Sequence, residues 1–325
     1  PSGGGSPSGG GSPSGGGSPS GGAAGAGNTG PVPGPCAPPY SADSPWNTPI
    51  EDGPDIHPDS VSMVNEIPSP LGSSPDQWTM SVYRVDSDTP VKTIAVAEIY
   101  SNVVWQNGRE SLQYSSSGSR GGPLELQIPI PDGAEPAAPP LSQDPESDAQ
   151  LVIWDQDTGD EWGFWRVARN GDRYEARNGY HYNTNWSGVP PQGFGSRGAG
   201  VPYLTGLMFP CELEQGEINH AIAFAYPSPD STFVSPATKS DGQGDAADLP
   251  EGARLQLDPS LSEGEIEGWG CTGSCLVVAR ALQRYGMIVI DHAGSAKIYP
   301  QYSGSTDWGW LLDGRTPRPI PLDRF

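Results

Sequence analysis

Histidine is scarce in this chain and stands at four positions only, His57, His181, His220 and His292. His220 has the most promising neighbours, because Glu217 and Asn219 lie beside it at the start of an apolar run. A histidine near a carboxylate can act as a general acid or base, so Glu217 and His220 are candidate catalytic residues. Asn219 is a candidate substrate-binding amide. The alternative is that His220 is a buried, hydrogen-bonded residue of the core.

Carboxylate pairs are the second source of chemistry in this sequence. Glycoside hydrolysis needs two carboxyl groups about 5–10 Å apart across the scissile bond. Asp155 ends an apolar segment and is therefore a third catalytic candidate, whereas Asp157 in the turn that follows is expected to be solvated. Because the chain has 39 acidic residues, some acidic clusters are expected by chance.

Residues 179–186 form an aromatic and amide-rich segment. Aromatic rings with polar tips can stack on sugar rings while neighbouring amides bond the sugar hydroxyls. The candidate sugar-binding residues of this segment are Tyr180, His181, Tyr182 and Trp186. A self-packed loop is the alternative interpretation, and the sequence favours neither.

Positive charge is concentrated in one predicted hairpin of an otherwise acidic chain. Its arginines are Arg166, Arg169, Arg173 and Arg177. Arg166 is a candidate for binding the carboxylate of a uronate sugar. The alternative is that these arginines pair with nearby acidic residues such as Asp172 and Glu175.

The four cysteines form an even set, which predicts two disulfide bonds in an oxidising compartment. We favour Cys271–Cys275, across a short glycine-containing loop, and Cys36–Cys211, which would fasten the start of the domain to its middle. Zinc would be the competing use of a C-x3-C pair, but no matching histidine pair lies nearby in the sequence. The spacing of His181, His220 and His292 specifies no metal site either. Since phosphate-loop and dinucleotide motifs are also missing, we expect no metal and no cofactor.

Alternating hydrophobic patterns predict a mainly β protein with two or three short helices. The strongest pattern, at residues 150–177, predicts a three-stranded meander whose second turn is Asn170-Gly171. Residues 217–226 are apolar on both alternate faces, which is typical of a central strand between two layers. Residues 274–285 have helical spacing and precede Gly286, a natural C-cap. Further strands are predicted at 79–85, 91–99, 124–130 and 287–291, and a helix at 60–67. A β-sandwich or jelly-roll is the expected fold.

The composition of the chain changes at residue 35. The chain has 45 glycines and 37 prolines, and 22 of these 82 residues lie in residues 1–35, which contain no charged residue. We therefore expect residues 1–35 to be a disordered linker and residues 36–325 to be a single β-rich globular domain, which we expect to be monomeric. No run is long and apolar enough for a membrane helix. The net charge of -22 disfavours nucleic acid and anionic membranes as partners.

Several segments resemble known proteins. Residues 1–24 repeat the sequence PSGGGS and resemble the linkers that join carbohydrate-binding modules to catalytic modules in secreted actinobacterial polysaccharide-degrading proteins. The segments GEINHAIAFA (216–225), PATKSDG (236–242), LPEGARLQLDP (249–259) and ARALQRYG (279–286) resemble a family of secreted actinobacterial proteins that has no established activity. The five residues KIYPQ (297–301) resemble a strand that carries tyrosine and lysine in some jelly-roll polysaccharide lyases. These resemblances imply secretion and a carbohydrate-binding module on the N-terminal side of the linker.

Together these observations predict a secreted carbohydrate-active domain that acts on a polysaccharide. Hydrolysis by a carboxylate pair is the default chemistry, with Glu217, His220 and Asp155 in the catalytic roles. One alternative is a polysaccharide lyase, in which His220 or a tyrosine abstracts the proton next to an arginine-bound uronate. Another is a non-catalytic glycan-binding or scaffold domain. We expect Glu217, His220, Asp155 and the segment around His181 to border one open cleft.

Overall fold

The computed structural model describes residues 36–97, 124–192, 197–312 and 315–325, all of which fall within one compact unit, Pro35–Phe325. Strands outnumber helices in these ranges and form four sheets, so the prediction of a mainly β fold is confirmed. The same ranges contain four short α-helices, where two or three were predicted. The linker predicted at residues 1–35 lies outside the described residues, and its disorder stays a prediction.

The regular elements of these ranges are named in chain order. The helices are α1 (Ser60–Asn65), α2 (Pro210–Gln215), α3 (Glu263–Gly268) and α4 (Ser274–Arg284), with a 3-10 turn at Leu322–Arg324. The strands are β1 (Gly72–Ser73), β2 (Ser81–Val85), β3 (Val91–Val96), β4 (Leu124–Pro129), β5 (Leu151–Asp155), β6 (Asp160–Trp165), β7 (Ala168–Asn170), β8 (Arg173–Ala176), β9 (Asn178–Asn183), β10 (Ile222–Tyr226), β11 (Asp230–Phe233), β12 (Pro250–Glu251), β13 (Arg254–Leu255), β14 (Met287–His292) and β15 (Lys297–Ile298).

Three of the four sheets have four or five strands. The largest, which we call the cleft sheet, has the strand order β1-β15-β10-β14-β13. Its central strands β10 and β14 are parallel, whereas β15 is antiparallel to β10 and parallel to β1. The second sheet has the order β2-β5-β6-β9 and the third the order β4-β3-β8-β7, while β11 and β12 form a parallel pair. The cleft sheet therefore joins strands from both ends of the domain.

Strand β10 lies between two apolar layers, as its sequence predicts. Ile222 and Phe224 pack into the core cluster that includes the apolar face of α4. Ala223 and Ala225 point the other way and pack into a second cluster, which includes residues of the second sheet. The strand begins at Ile222 and not at residue 217, so His220 lies in the segment that precedes it.

Helix α4 agrees with the helix predicted at residues 274–285. Val278, Ala281 and Leu282 are buried at spacings of three and four residues, which places them on one face. Gly286 follows with a φ of +73°, a conformation that glycine adopts at helix ends without steric cost. This sharp end lets the chain enter the cleft sheet at once as β14.

The predicted three-stranded meander is divided between two sheets. Strands β5 and β6 pair in the second sheet, whereas β7 and β8 pair in the third. The predicted middle strand breaks at Arg166, whose φ of +56° lies outside the strand region. The Asn170-Gly171 hairpin forms as predicted, with Gly171 at a φ of +63°.

The aromatic segment at residues 179–186, expected as a loop, contains most of strand β9. This strand pairs with β6, and Gly163 lies directly opposite Tyr180. A Cβ atom at residue 163 would lie 2.2 Å from Cε1 of Tyr180, so only glycine leaves room for the ring to fold across β6. The ring is consequently part of the core.

Candidate functional site

His220 is buried, with 2% of its surface exposed. Its Nδ1 lies 2.9 Å from the carbonyl oxygen of Ala221, and its Nε2 lies 2.9 Å from Oε1 of Glu212. Both acceptors suit a ring that donates from both nitrogens, which is the imidazolium form. Burial lowers the pKa of His220, but the Glu212 carboxylate and the Ala221 carbonyl outweigh it and leave this pKa raised. His220 therefore forms an internal ion pair and does not face an open cleft.

The other predicted catalytic residues have local contacts of their own. Glu217 is exposed, and its Oε1 lies 3.5 Å from Nη1 of Arg284. Asn219 accepts a hydrogen bond from a tyrosine hydroxyl at 3.2 Å. Asp155 is buried, and its Oδ1 accepts the backbone N–H groups two and three residues later, which closes the turn between β5 and β6. None of these contacts joins Glu217, His220 and Asp155 to one another.

The predicted sugar-binding aromatic residues point inward. The Tyr180 hydroxyl donates to Oε1 of Glu161 at 2.6 Å, and Nε2 of His181 lies 2.9 Å from Oδ1 of Asp160 in the neighbouring strand β6. Tyr182 is buried and meets the half-buried Trp186 edge to face at 5.0 Å. These contacts match the self-packed alternative for the segment.

The predicted uronate-binding Arg166 is half-buried and lies over a neighbouring ring. Its guanidinium carbon is 5.4 Å from the centre of the Trp165 ring. Elsewhere in the hairpin, Nη2 of Arg173 lies 2.7 Å from Oε1 of Glu125, so this arginine pairs with an acidic residue, as the alternative interpretation expects.

The disulfide bond predicted between Cys271 and Cys275 is present. Cys36 and Cys211 are thiols, and their side chains are neighbours. Burial and a hydrogen bond with the Cys211 thiol raise the pKa of Cys36 to about 12. The second predicted disulfide therefore has its two sulfur atoms in contact, and its formation stays a prediction.

A different cleft, of about 650 Å³, lies at one end of the cleft sheet. Asp291 and Lys297 line it from β14 and β15, and both lie in register with Ala225 of β10. This position is at the carboxyl end of the parallel pair β10–β14, the usual place for ligands in sheets with parallel strands. Trp78 and Trp165 add two aromatic walls.

Three carboxylates meet beside this cleft. One oxygen from each of Asp241, Glu251 and Asp291 lies within 4.8 Å of the other two. Glu251 is completely buried, and among the described residues no hydrogen bond from outside the acidic cluster reaches its carboxylate oxygens. Burial and the charges of Asp241 and Asp291 raise the pKa of Glu251 to about 9, and burial and Asp241 raise the pKa of Asp291 to about 7. The cluster needs a positive partner, either a proton or a cation.

The backbone at Gly198 closes one side of the carboxylate cluster. Its N–H donates to Oδ1 of Asp291 at 3.3 Å. A Cβ atom at this position would lie 2.4 Å from Oδ1 of Asp241 and 2.5 Å from Oε1 of Glu251. Because any larger residue would collide with two of the three carboxylates, the cluster depends on glycine here.

Lys297 supplies an amine to the same cleft. Its Nζ donates to the carbonyl oxygen of Trp78 at 2.6 Å and lies 4.6 Å from the centre of the Tyr299 ring. Burial lowers the pKa of Lys297 to about 8, so a substantial fraction of the amine is neutral under mildly alkaline conditions. Burial raises the pKa of Tyr299, so its hydroxyl stays protonated. Arg197 also contacts this ring, at 4.9 Å from its centre.

The sequence held one signal for this site, the KIYPQ strand. Its period of two places Lys297 and Tyr299 on the same face. Three acidic residues also line the cleft, Asp148, Asp241 and Asp291. Nothing in the sequence indicates that they belong together, because they are far apart in a chain with 39 acidic residues.

Comparison of the chain with family models, with curated proteins and with solved structures finds no match. Among the described residues, no helix has the length and apolar character needed to span a bilayer.

Proposed function

We propose that this protein is a secreted enzyme that cleaves a uronate-containing polysaccharide in the cleft, by β-elimination. One observation carries the proposal: Lys297 and Tyr299 face the same cleft, and the amine lies over the phenol ring. An amine with a pKa near 8 suits a general base, because it is basic enough to accept a proton and is partly unprotonated at working pH.

The proposed reaction uses both side chains. The neutral amine of Lys297 accepts the proton on the carbon next to the uronate carboxylate. The electron pair left on that carbon forms a double bond to the adjacent carbon. At the same time, the bond between this adjacent carbon and the glycosidic oxygen breaks. Tyr299, whose hydroxyl is protonated, gives its proton to the departing oxygen. The protonated amine then returns a proton to the phenolate, so the site is restored without an external reagent.

The aromatic walls supply binding. Trp78 and Trp165 both line the cleft, and flat apolar faces of this kind stack on sugar rings. The indole N–H of Trp165 donates to Oδ1 of Asp148 at 2.8 Å, which holds both side chains in place. The disulfide Cys271–Cys275 supports the proposal that the protein works in an oxidising, extracellular compartment. We also propose a monomer with a carbohydrate-binding module before residues 1–35.

A second candidate function is glycoside hydrolysis, which the sequence favoured. Asp148 and Asp291 both line the cleft, as a carboxylate pair of a hydrolase must. Only the reaction products separate the two chemistries. Elimination gives sugars with an ultraviolet-absorbing double bond, hydrolysis gives reducing ends without that absorbance, and a binding domain gives neither.

The test is a panel of neutral and uronate-containing polysaccharides, with reducing ends and ultraviolet absorbance followed together. We expect unsaturated products from a uronate polymer, with a rate that rises with pH through about 8 as Lys297 loses its proton. Lys297→Met should lower turnover at least ~100-fold, the usual effect of losing a general base. The matched control is Lys92→Met, because Lys92 lies in β3 of the third sheet, pairs with Asp132 at 2.7 Å and is not among the residues that line the cleft.

The proposal fails if no uronate polymer yields unsaturated products, or if Lys297→Met keeps wild-type turnover. Reducing ends without absorbance would select the hydrolase. Binding of the polymer without any product would select a glycan-binding domain.

A further inference from the structure

We infer that Asp241, Glu251 and Asp291 form a binding site for one divalent cation, with calcium as the best fit. The three side chains come from the loop after β11, from β12 and from β14, so three separate segments converge on one point. The sequence predicts no metal here, because the ligands are not grouped in any recognisable spacing.

The spacing of the oxygens suits calcium. One oxygen from each residue lies within 4.8 Å of the others. Calcium binds oxygen at 2.3–2.6 Å, so two of its ligands can lie up to about 5 Å apart. All three ligands are carboxylates of the protein, a set that calcium accepts, whereas magnesium usually takes one or two carboxylates and keeps several waters. The chemistry of the ligands therefore favours calcium.

Glu251 gives an independent reason for a ligand. Its side chain is completely buried, and among the described residues no hydrogen bond from outside the acidic cluster reaches its carboxylate oxygens. A buried carboxylate is ordinarily paired, hydrogen-bonded or bound to a metal. Because Glu251 faces two further carboxylates, the partner that fits is a cation with more than one ligand from the protein.

The surroundings of the cluster fit a metal site open to solvent on one side. Asp241 and Asp291 also line the cleft, whereas Glu251 lies behind them, so free coordination positions would face the cleft. The N–H of Gly198 holds Asp291 at 3.3 Å, the kind of hydrogen bond that orients a metal-binding carboxylate. The three carboxylates are carried by the loop after β11, by β12 and by β14.

A cation at this place would also explain how an acidic cleft accepts an acidic sugar. Three carboxylates would repel a uronate, whereas a bound cation with free coordination positions would attract its carboxylate. This consequence rests on the proposed function. The binding of the cation does not, since it depends only on the three residues.

The test measures cation binding by the full chain, without a polysaccharide. The protein is treated with a chelator and dialysed, and calcium chloride is titrated by isothermal calorimetry, with magnesium chloride as the comparison. Thermal unfolding is measured with and without calcium. We expect one calcium ion per chain, a higher melting temperature with calcium, and weaker binding of magnesium.

Two variants locate the site. Glu251→Gln keeps the shape of the side chain and Asp241→Asn changes an exposed residue, and each should weaken calcium binding at least about tenfold. Glu175→Gln, on the exposed face of β8, is the matched control and should bind as the wild type does.

Absence of calcium binding at about 10 mM, or binding that both variants leave unchanged, overturns the inference. Calcium binding without cleavage of any polymer would overturn the proposed function and leave the cation site standing. Cleavage that persists after treatment with the chelator, together with no calcium binding, would overturn the cation site and leave the proposed function standing.

Discussion

Glu161 of the second sheet and Glu251 beside the cleft sheet are both completely buried, yet their surroundings differ. Glu161 accepts hydrogen bonds from the hydroxyls of Tyr40 and Tyr180, at 2.7 and 2.6 Å, and from the N–H of Leu204 at 3.2 Å. Glu251 accepts none from outside its acidic cluster, although burial raises the pKa of both carboxyls. The first carboxylate therefore completes a network within the fold, and the second is available to a ligand.

Hydrogen-bond partners distinguish structural from functional polar groups better than burial does. A satisfied buried carboxylate ties elements together, because removing it leaves its donors without an acceptor. A buried carboxylate without such donors destabilises the folded protein, and the binding of a proton or a cation removes this cost. His220 belongs to the first class, since Glu212 holds it at 2.9 Å.

The largest effect is expected at Glu161. Glu161→Ala would leave two tyrosine hydroxyls and one backbone N–H buried without an acceptor, each at about 1–3 kcal/mol, so we expect a loss of about 4 kcal/mol or more in the free energy of unfolding. Urea denaturation measures it. Tyr40→Phe, which removes one donor only, is the control and should cost about 1 kcal/mol. A loss below about 1 kcal/mol in Glu161→Ala would remove the distinction between the two glutamates.

The next effect concerns His220 and depends on pH. Its pKa in the folded state is raised above 6.5, so the stability that the protonated ring contributes is fully present below pH 6.5 and is lost as the pH rises through the folded-state pKa. His220→Phe leaves Glu212 buried without its cation and should cost about 3 kcal/mol at pH 6, and less at pH 9. Denaturation curves at both pH values check this. An equal loss at the two values would show that the ring acts by packing alone.

The smallest effect, of opposite sign, is expected at Glu251. Without calcium, Glu251 must take up a proton to fold at neutral pH, because its pKa rises from 4.5 to about 9. Glu251→Gln removes this cost and should raise the free energy of unfolding at pH 7 by about 1 kcal/mol. The measurement is urea denaturation in the presence of a chelator. A loss as large as that of Glu161→Ala would mean that Glu251 has a structural partner, and the comparison would fail.

Local sequence patterns predicted the elements that are determined locally. Residues 274–285 form a helix because their apolar residues recur at helical spacing, and β10 is buried on both faces because both faces are apolar. Asn170-Gly171 forms its hairpin because the turn needs a positive φ. The pair Cys271–Cys275 lies within one short loop.

Features that depend on distant contacts could not be predicted in this way. The break at Arg166 follows from the pairing of β6 and β7 in different sheets, and neither pairing has a local signal. The cleft could not be predicted from local patterns either, because Lys297 and Asp291 become neighbours of Trp78 only through the order of strands in the cleft sheet. His220 was a reasonable candidate by its neighbours in sequence, but Glu212, eight residues earlier, is the partner that it contacts.

The pairing of β1 with β15 has a consequence for the order of folding. Gly72 is in register with Lys297, so the edge of the cleft sheet joins residues from opposite ends of the domain. During synthesis, β1 leaves the ribosome long before its partner exists, and the cleft cannot close until nearly the whole chain has emerged. Contacts of such long range slow folding, because a large loop must be ordered before they form. The part of the molecule proposed to do chemistry is thus among the last to be assembled, and partly folded chains would be inactive.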